Sequence, residues 1–340
     1  MVSTHSLCGR GSRCVSLSLD VAIVNMNAGS GDKWLTGLEP EDPIGRAAQS
    51  AVENRLDFFW HCLKQAGQDE NPDAEKVHQA RVSARRAMAA LETFAALLPK
   101  KRGAWMQKQV KRVRRAAGGA RDDDVLLQRL QEIVARPNEA QSSEELPLWQ
   151  VQLAAERALH QVPIGRTYRK LKRKQFRHGV KLLVERIKWR GEPPEPSYRD
   201  AAIVMVREML AGLESTLLAD VPQEEALHPL RIAGKRLRYS LELFKGAFTT
   251  SLMQDEIYPQ VETMQDLLGK VNDHVSAIDR IESWLEMSND ESTVRDLQEL
   301  LHAESNALEA AHTAFDQWWE RGEAKLLCQR LQRLSADVVV

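Results

Sequence analysis

Turn formers and aromatics are scarce in this sequence. Its 340 residues include 18 glycines and 13 prolines, and aromatics make up 6%. That leaves room for long uninterrupted helices, and no stretch alternates convincingly at period two, so strands are not expected. Cysteine is nearly absent: Cys8, Cys14, Cys62 and Cys328 form no C-x-x-C pair and no zinc-ligand spacing. A disulfide scaffold or zinc ribbon is thereby excluded, and free thiols in a reducing, cytoplasmic setting are expected. No run of about eighteen apolar residues occurs, so no membrane span is expected. Residues 1–43 are read as a disordered leader and 334–340 as a tail. The apolar stretch near the N-terminus is broken by Asp20 and shows no clear cleavage site. Met26 is an alternative start.

What the chain has in quantity is Ala, Leu, Glu, Arg and Gln, which favours an all-α protein. The formal net charge is −1, yet the charges are segregated. From Lys76 to Arg121 there are thirteen Lys or Arg and one acid, Glu92; from Arg166 to Arg190 there are eleven against Glu185 alone. The acids collect around 139–145, 192–200, 220–225 and 281–310. Two strongly positive zones inside a near-neutral chain point to a polyanionic partner bound at one place.

Helical segments are predicted at 44–67, 72–98, 103–119, 121–136, 143–160, 165–190, 197–218, 223–247, 253–270, 272–288 and 293–333, the last one broken. Pro72 opens a helix, Pro163 and Gly165 separate two, and "GEPPEP" at 191–196 is a hard stop between halves of about 44–190 and 197–333. The halves share a motif. "VHQARVSARRAMAALETF" (77–94) recurs as "LHPLRIAGKRLRYSLELF" (227–244), pairing His78 with His228, Arg81 with Arg231, Arg85 with Lys235 and Arg86 with Arg236. Downstream, "AGGARDDDV" (117–125) is echoed by "LLGKVNDHV" (267–275), pairing Gly118 with Gly269 and Asp122 with Asp273. A duplicated unit of this length predicts two four-helix-bundle-like halves related by a pseudo-two-fold axis.

On helical wheels the cations gather on faces opposite apolar stripes. His78, Arg81 and Arg85 fall within about 60° of one another, with Arg86 about 80° from His78; Val77, Ala80, Ala84, Leu91 and Leu98 lie opposite. Arg231, Lys235 and Arg238 flank the His228 direction, opposite Leu230, Leu237, Leu241 and Phe244. Pro229 places that histidine at a helix start or kink. Lys108, Lys111, Arg112 and Arg115 share a third face. Arg166, Arg169, Lys170, Arg173, Arg177, Lys181 and Lys188 share a fourth, opposite Tyr168, Leu171 and Leu182. Like charges at i,i+4 repel, so faces with almost no acids suit a site that receives an anion. Aromatics do not interleave with these cations, and no helix-turn-helix or zinc-finger spacing is present, which speaks against nucleic acid. A chain of phosphates, held by Arg forks and Lys point charges, fits the pattern better.

These paired motifs, each followed by "ARDDDV" or "VNDHV", resemble the conserved-histidine α-helical (CHAD) domain family over about 44–333. The resemblance implies an all-helical fold of two bundles with a basic surface between them. It also implies non-catalytic binding of inorganic polyphosphate and association with polyphosphate granules, without a cofactor or metal. It carries His78, Arg81, Arg85, Arg86, His228, Arg231, Lys235, Arg236 and Arg238 over as the anion-binding set. Pro229, and the single cation Lys270 across 253–270, depart from the pattern and predict stronger binding by the first half. The two histidines are open to phosphate contact, structural hydrogen bonding or chemistry. Asp122, Asp123, Asp124 and Asp273 are read as helix caps, with magnesium binding at 122–124 as the alternative. His61, His160, His274, His302 and His312 have no partners at suggestive spacing; Trp60, Trp105, Trp149, Trp284, Trp318 and Trp319 read as packing anchors, and Trp34 is expected to tuck the leader onto the first bundle. A phosphate-processing enzyme and a helical nucleic-acid binder remain rival readings. The E-x-E-x-K signature of the CYTH triphosphatases, which often accompany this family, is absent. The acidic C-terminal helices offer a surface for granule proteins.

Overall fold

A computed structural model describes residues 32–69, 73–134 and 147–336. The leader up to residue 31 with Cys8, Cys14 and Met26, the helix start at Pro72, the first residues of the predicted 143–160 helix and the end of the tail lie outside them. The described residues form twelve α-helices and no strand: α1 (Ile44–Gln68), α2 (Ala74–Thr93), α3 (Lys100–Ala116), α4 (Gly118–Val134), α5 (Leu148–Arg173), α6 (Phe176–Val184), α7 (Tyr198–Ala211), α8 (Glu214–Leu217), α9 (Glu224–Leu241), α10 (Tyr258–Met287), α11 (Glu291–Glu320) and α12 (Glu323–Ala336). The all-α expectation holds.

Local chemistry sets most boundaries. Asp73 accepts the Lys76 amide at the start of α2, Ser197 that of Asp200 at α7, and Asp290 that of Thr293 at α11. The first turn of α1 is capped from the far end of the chain's first half, where Glu195 accepts the Gly45 amide at 2.6 Å. That carboxylate belongs to the proline-rich stop between the halves, so the stop also anchors a helix.

Two predicted breaks fail. α5 runs straight through Pro163, because the carbonyl that the proline leaves without a partner belongs to Leu159, which is 71% exposed and can be hydrated. The chain turns instead at Gln175, whose φ of 51° is left-handed. The predicted gap near residue 271 is likewise absent: α10 follows a π-helical turn at Met253–Ile257 and continues unbroken to Met287.

Helix α2 packs against α1, α3, α4 and α9, while α5 packs against α1, α3 and α4. Ala80, Ala84, Ala87 and Ala90 are fully buried on α2, and small side chains there allow close approach. The apolar stripes expected on α2 and α9 are buried as read. At Gly67 the constraint is severe, since a Cβ would sit 2.5 Å from that of Tyr168 on α5. A second, smaller core links α4 and α5 to α10 and α11: Leu126, Leu130, Trp149 and Leu153 pack with Ile281, Trp284, Leu297 and Leu300.

Residues 32–43, assigned above to the leader, are laid against the fold. Leu35 and Leu38 are buried, and Trp34 packs tilted against Tyr258 with ring centroids 4.6 Å apart. The Leu35 amide donates to the Glu242 carbonyl, and Arg55 of α1 donates to the carbonyls of Asp32 and Lys33.

Candidate functional site

The two helices that carry the shared motif, α2 and α9, lie side by side. Between them and the flanking α3, α4 and α10 runs a trough with two connected chambers of about 620 and 500 Å³. Arg81, Arg85, Asp122, Arg231, Lys235 and Tyr239 line both. The inner chamber extends between α4 and α10 past His78, Arg121, Arg129, Arg238 and Arg280; the outer reaches Arg114 and Arg115 of α3 and Arg236 of α9.

The cations differ in what holds them. Arg81 donates to the Gly118 carbonyl at 3.0 Å and sits 3.2 Å from the Asp122 carboxylate. Arg238 is paired with Glu262 and donates to the Tyr258 hydroxyl at 3.2 Å. Arg85 and Lys235 make no hydrogen bond or ion pair through their side chains among the described residues, and the buried Nε of Arg231 has no hydrogen-bond partner. The centre of the trough is therefore a set of half-buried cations with donors to spare. Burial, followed by the nearby Arg85 and Arg231, pushes the Lys235 ammonium down to about 7. Burial and then Arg121 hold the His78 imidazole below its ordinary range.

The inner end is finished by buried charge pairs. Asp123 accepts from His160 at 2.5 Å and from Arg280 at 3.1 Å, and Arg280 also binds Glu156. Asp124 pairs with Arg157 at 2.8 Å. Glu304, 1% exposed, holds Arg129 and His274, each at 2.7 Å. The capping expectation for the aspartates is thus corrected. α4 starts at Gly118, so Asp122, Asp123 and Asp124 lie inside the helix, and Asp273 lies in the middle of α10. His160 and His274, which looked partnerless, have carboxylate partners on the neighbouring helices α4 and α11. Among the described residues no group of three or more His, Cys, Asp or Glu is placed to hold a metal ion.

The trough gathers His78, Arg81, Arg85, Arg115, Arg231, Lys235, Arg236 and Arg238 from the predicted set. Arg86 is elsewhere: it is bound through two nitrogens by Glu242, a carboxylate with no exposed surface, beside Arg55 and Tyr258. His228 is exposed near the start of α9 and lines neither chamber. Lys108, Lys111 and Arg112 lie along α3, and Arg169, Lys170, Arg173, Arg177 and Lys181 on the outer faces of α5 and α6; none lines the trough. Sequence reasoning missed Arg114, Arg121, Arg129 and Arg280. Arg280 carried one usable signal, its seven-residue spacing from Asp273 on a single helix face.

The chain belongs to the CHAD domain family, whose profile it matches over residues 51–282. It is similar in fold to the CHAD domain of the plant Ricinus communis, with a TM-score of 0.60 at 18% identity, covering 88% of this chain and 95% of that one. It is also similar to PptA from Streptomyces chartreusis, with a TM-score of 0.58 at 17% identity, covering 82% and 100%. Two uncharacterized proteins of Mycobacterium tuberculosis, MT2285 of strain CDC 1551 / Oshkosh and Rv2226 of strain ATCC 25618 / H37Rv, are each 28% identical over 247 residues. Those matches cover 69% of this chain and 44% of either relative, so the chain spans less than half their length. No helix among the described residues is long and apolar enough to cross a membrane.

Proposed function

We propose that the trough binds inorganic polyphosphate without turning it over, at polyphosphate granules in the cytoplasm. The observation that carries this reading is the convergence of Arg81, Arg85, Arg231 and Lys235 from two helices onto one channel, with Arg85 and Lys235 left unpaired. Successive phosphates replace the water around these cations and relieve their mutual repulsion, and arginine forks fix the orientation. Among the described residues the only rings lining the chambers are those of Tyr239 and His78, too few to stack the successive bases of a single strand. Competition binding of long-chain polyphosphate against DNA and RNA tests the reading. Polyphosphate is expected to win and its affinity to fall steeply with salt. Preference for nucleic acid, or release of phosphate from the bound chain, overturns it.

The state of Lys235 adds a pH dependence. In the free protein this amine loses its proton near pH 7, and a bound phosphate supplies the counter-charge that restores it toward the ordinary lysine range. Below pH 7 the proton is already in place and this group leaves affinity flat. Above pH 7 binding takes the proton up from solution, so affinity falls by up to about tenfold per pH unit for one proton. Titration calorimetry at pH 8 in buffers of different ionisation enthalpy is expected to show uptake approaching one proton. Lys235→Met is expected to abolish that uptake.

A further inference from the structure

Helix α5 and the short α6 carry a strongly cationic surface that the trough does not use. Arg166, Arg169 and Arg173 recur at spacings of three and four residues, which places them on one stripe of α5 rising about 10 Å. Lys170 flanks them, and Arg177 and Lys181 continue the charge on α6. All six are exposed. The only ion pair they make among the described residues is Lys181 with Glu185, 4.0 Å apart and both well exposed, a contact of little energetic weight. Arg177 also feels the partly buried Asp57. The surface is separate from the trough: α5 packs on α1, α3 and α4 and α6 on α1, α3 and α5, and none of the six residues lines either chamber.

We propose that this α5–α6 face is a second polyanion-binding surface, engaging a second polyphosphate chain or a distant stretch of the same one. One molecule then bridges two phosphate chains. The inference rests on the reading of the trough given above. Its chemistry differs from the trough's. The trough is concave and half-buried, with preset arginine geometry, whereas the α5–α6 face is open and binds by counterion release alone, so its affinity is lower and salt removes nearly all of it. Tyr168 and Phe176 are turned into the core beneath it, 5% and 1% exposed, which removes the stacking groups a single-stranded nucleic acid uses. Val151, Leu159 and Val162 are exposed further toward the N-terminus of α5. The cations, however, pass beyond them and beyond the end of the helix onto α6, following charge rather than apolar surface.

The test uses the full chain, wild type and two variants, with short-chain and long-chain inorganic polyphosphate. R166A/R169A/R173A/R177A removes exposed side chains only, and circular dichroism checks that its helicity is unchanged. It is expected to bind short chains in the trough within twofold of wild type. It should lose the weaker, salt-sensitive class of sites and the light-scattering assemblies that wild type forms with sub-saturating long chains. R85A/K235A is expected to do the reverse, losing the tight class and keeping the weak one. Assemblies and a second class of sites surviving in the quadruple variant overturn the inference and leave the trough reading intact. Tight binding surviving in R85A/K235A overturns the trough reading instead. If the quadruple variant keeps long-chain polyphosphate but loses duplex DNA or vesicles rich in phosphatidylserine, the face belongs to that other anion and the inference falls.

Discussion

Replacing Arg85 and Lys235 together by alanine is expected to weaken long-chain polyphosphate binding by about 10² to 10⁴-fold. Each side chain supplies a charge-assisted contact worth about 1.5–3 kcal/mol, and two of them sum to about 3–6 kcal/mol. Neither makes an ion pair among the described residues, so none of those is orphaned when it goes. Lys235 is also held in a half-buried position beside Arg85 and Arg231, where its charge opposes folding. The variant's melting temperature should therefore equal or exceed that of wild type. Calorimetric titration with polyphosphate, paired with thermal melts, separates the two quantities. An affinity within threefold of wild type would remove these residues from the site.

Glu242→Ala is expected to have the opposite profile, losing about 3–5 kcal/mol of stability while the trough cations stay in place. Glu242 is fully buried and accepts from Arg86 at 2.7 Å and from the Tyr258 hydroxyl at 2.9 Å, with Arg55 4.0 Å away. Removing the carboxylate takes away the buried counter-charge that Arg55 and Arg86 share. Denaturant unfolding monitored by circular dichroism measures the loss, and a change under about 1 kcal/mol would contradict the buried-pair argument. Arg86→Met should cost less than Glu242→Ala, because it removes one cation and leaves Glu242 with Arg55 and Tyr258.

The comparison of Arg86 with Arg85 also shows where sequence reasoning reached its limit. The all-helical class, the buried stripes of α2 and α9, and the cationic faces that bring Arg81, Arg85, Arg231 and Lys235 to one trough were legible. They depend on periodicity and on a motif that occurs twice. A helical wheel, however, assigns direction and not partners, and Arg86 lies only about 20° farther from the His78 direction than Arg81 does. What decides its role is Glu242, 156 residues later in the chain. The same blindness hid the partners of His160 and His274 and the burial of Asp123 and Asp124, since each depends on helices that meet only in the folded molecule. Pro163 misled for another reason: a proline breaks a helix when its freed carbonyl is buried, and exposure at Leu159 was not readable from the local sequence.

The trough has walls from α2 and α4 on one side and α9 and α10 on the other. Its floor residues Arg85 and Lys235 are 150 positions apart. During synthesis, α2 is finished long before α9 exists, and until then its cations are an ordinary solvated face with no opposing wall. The concave site thus appears only after α10 has been made and a long loop has closed. A half-made chain presents no enclosed channel, so the binding proposed for the trough requires a chain folded through α10.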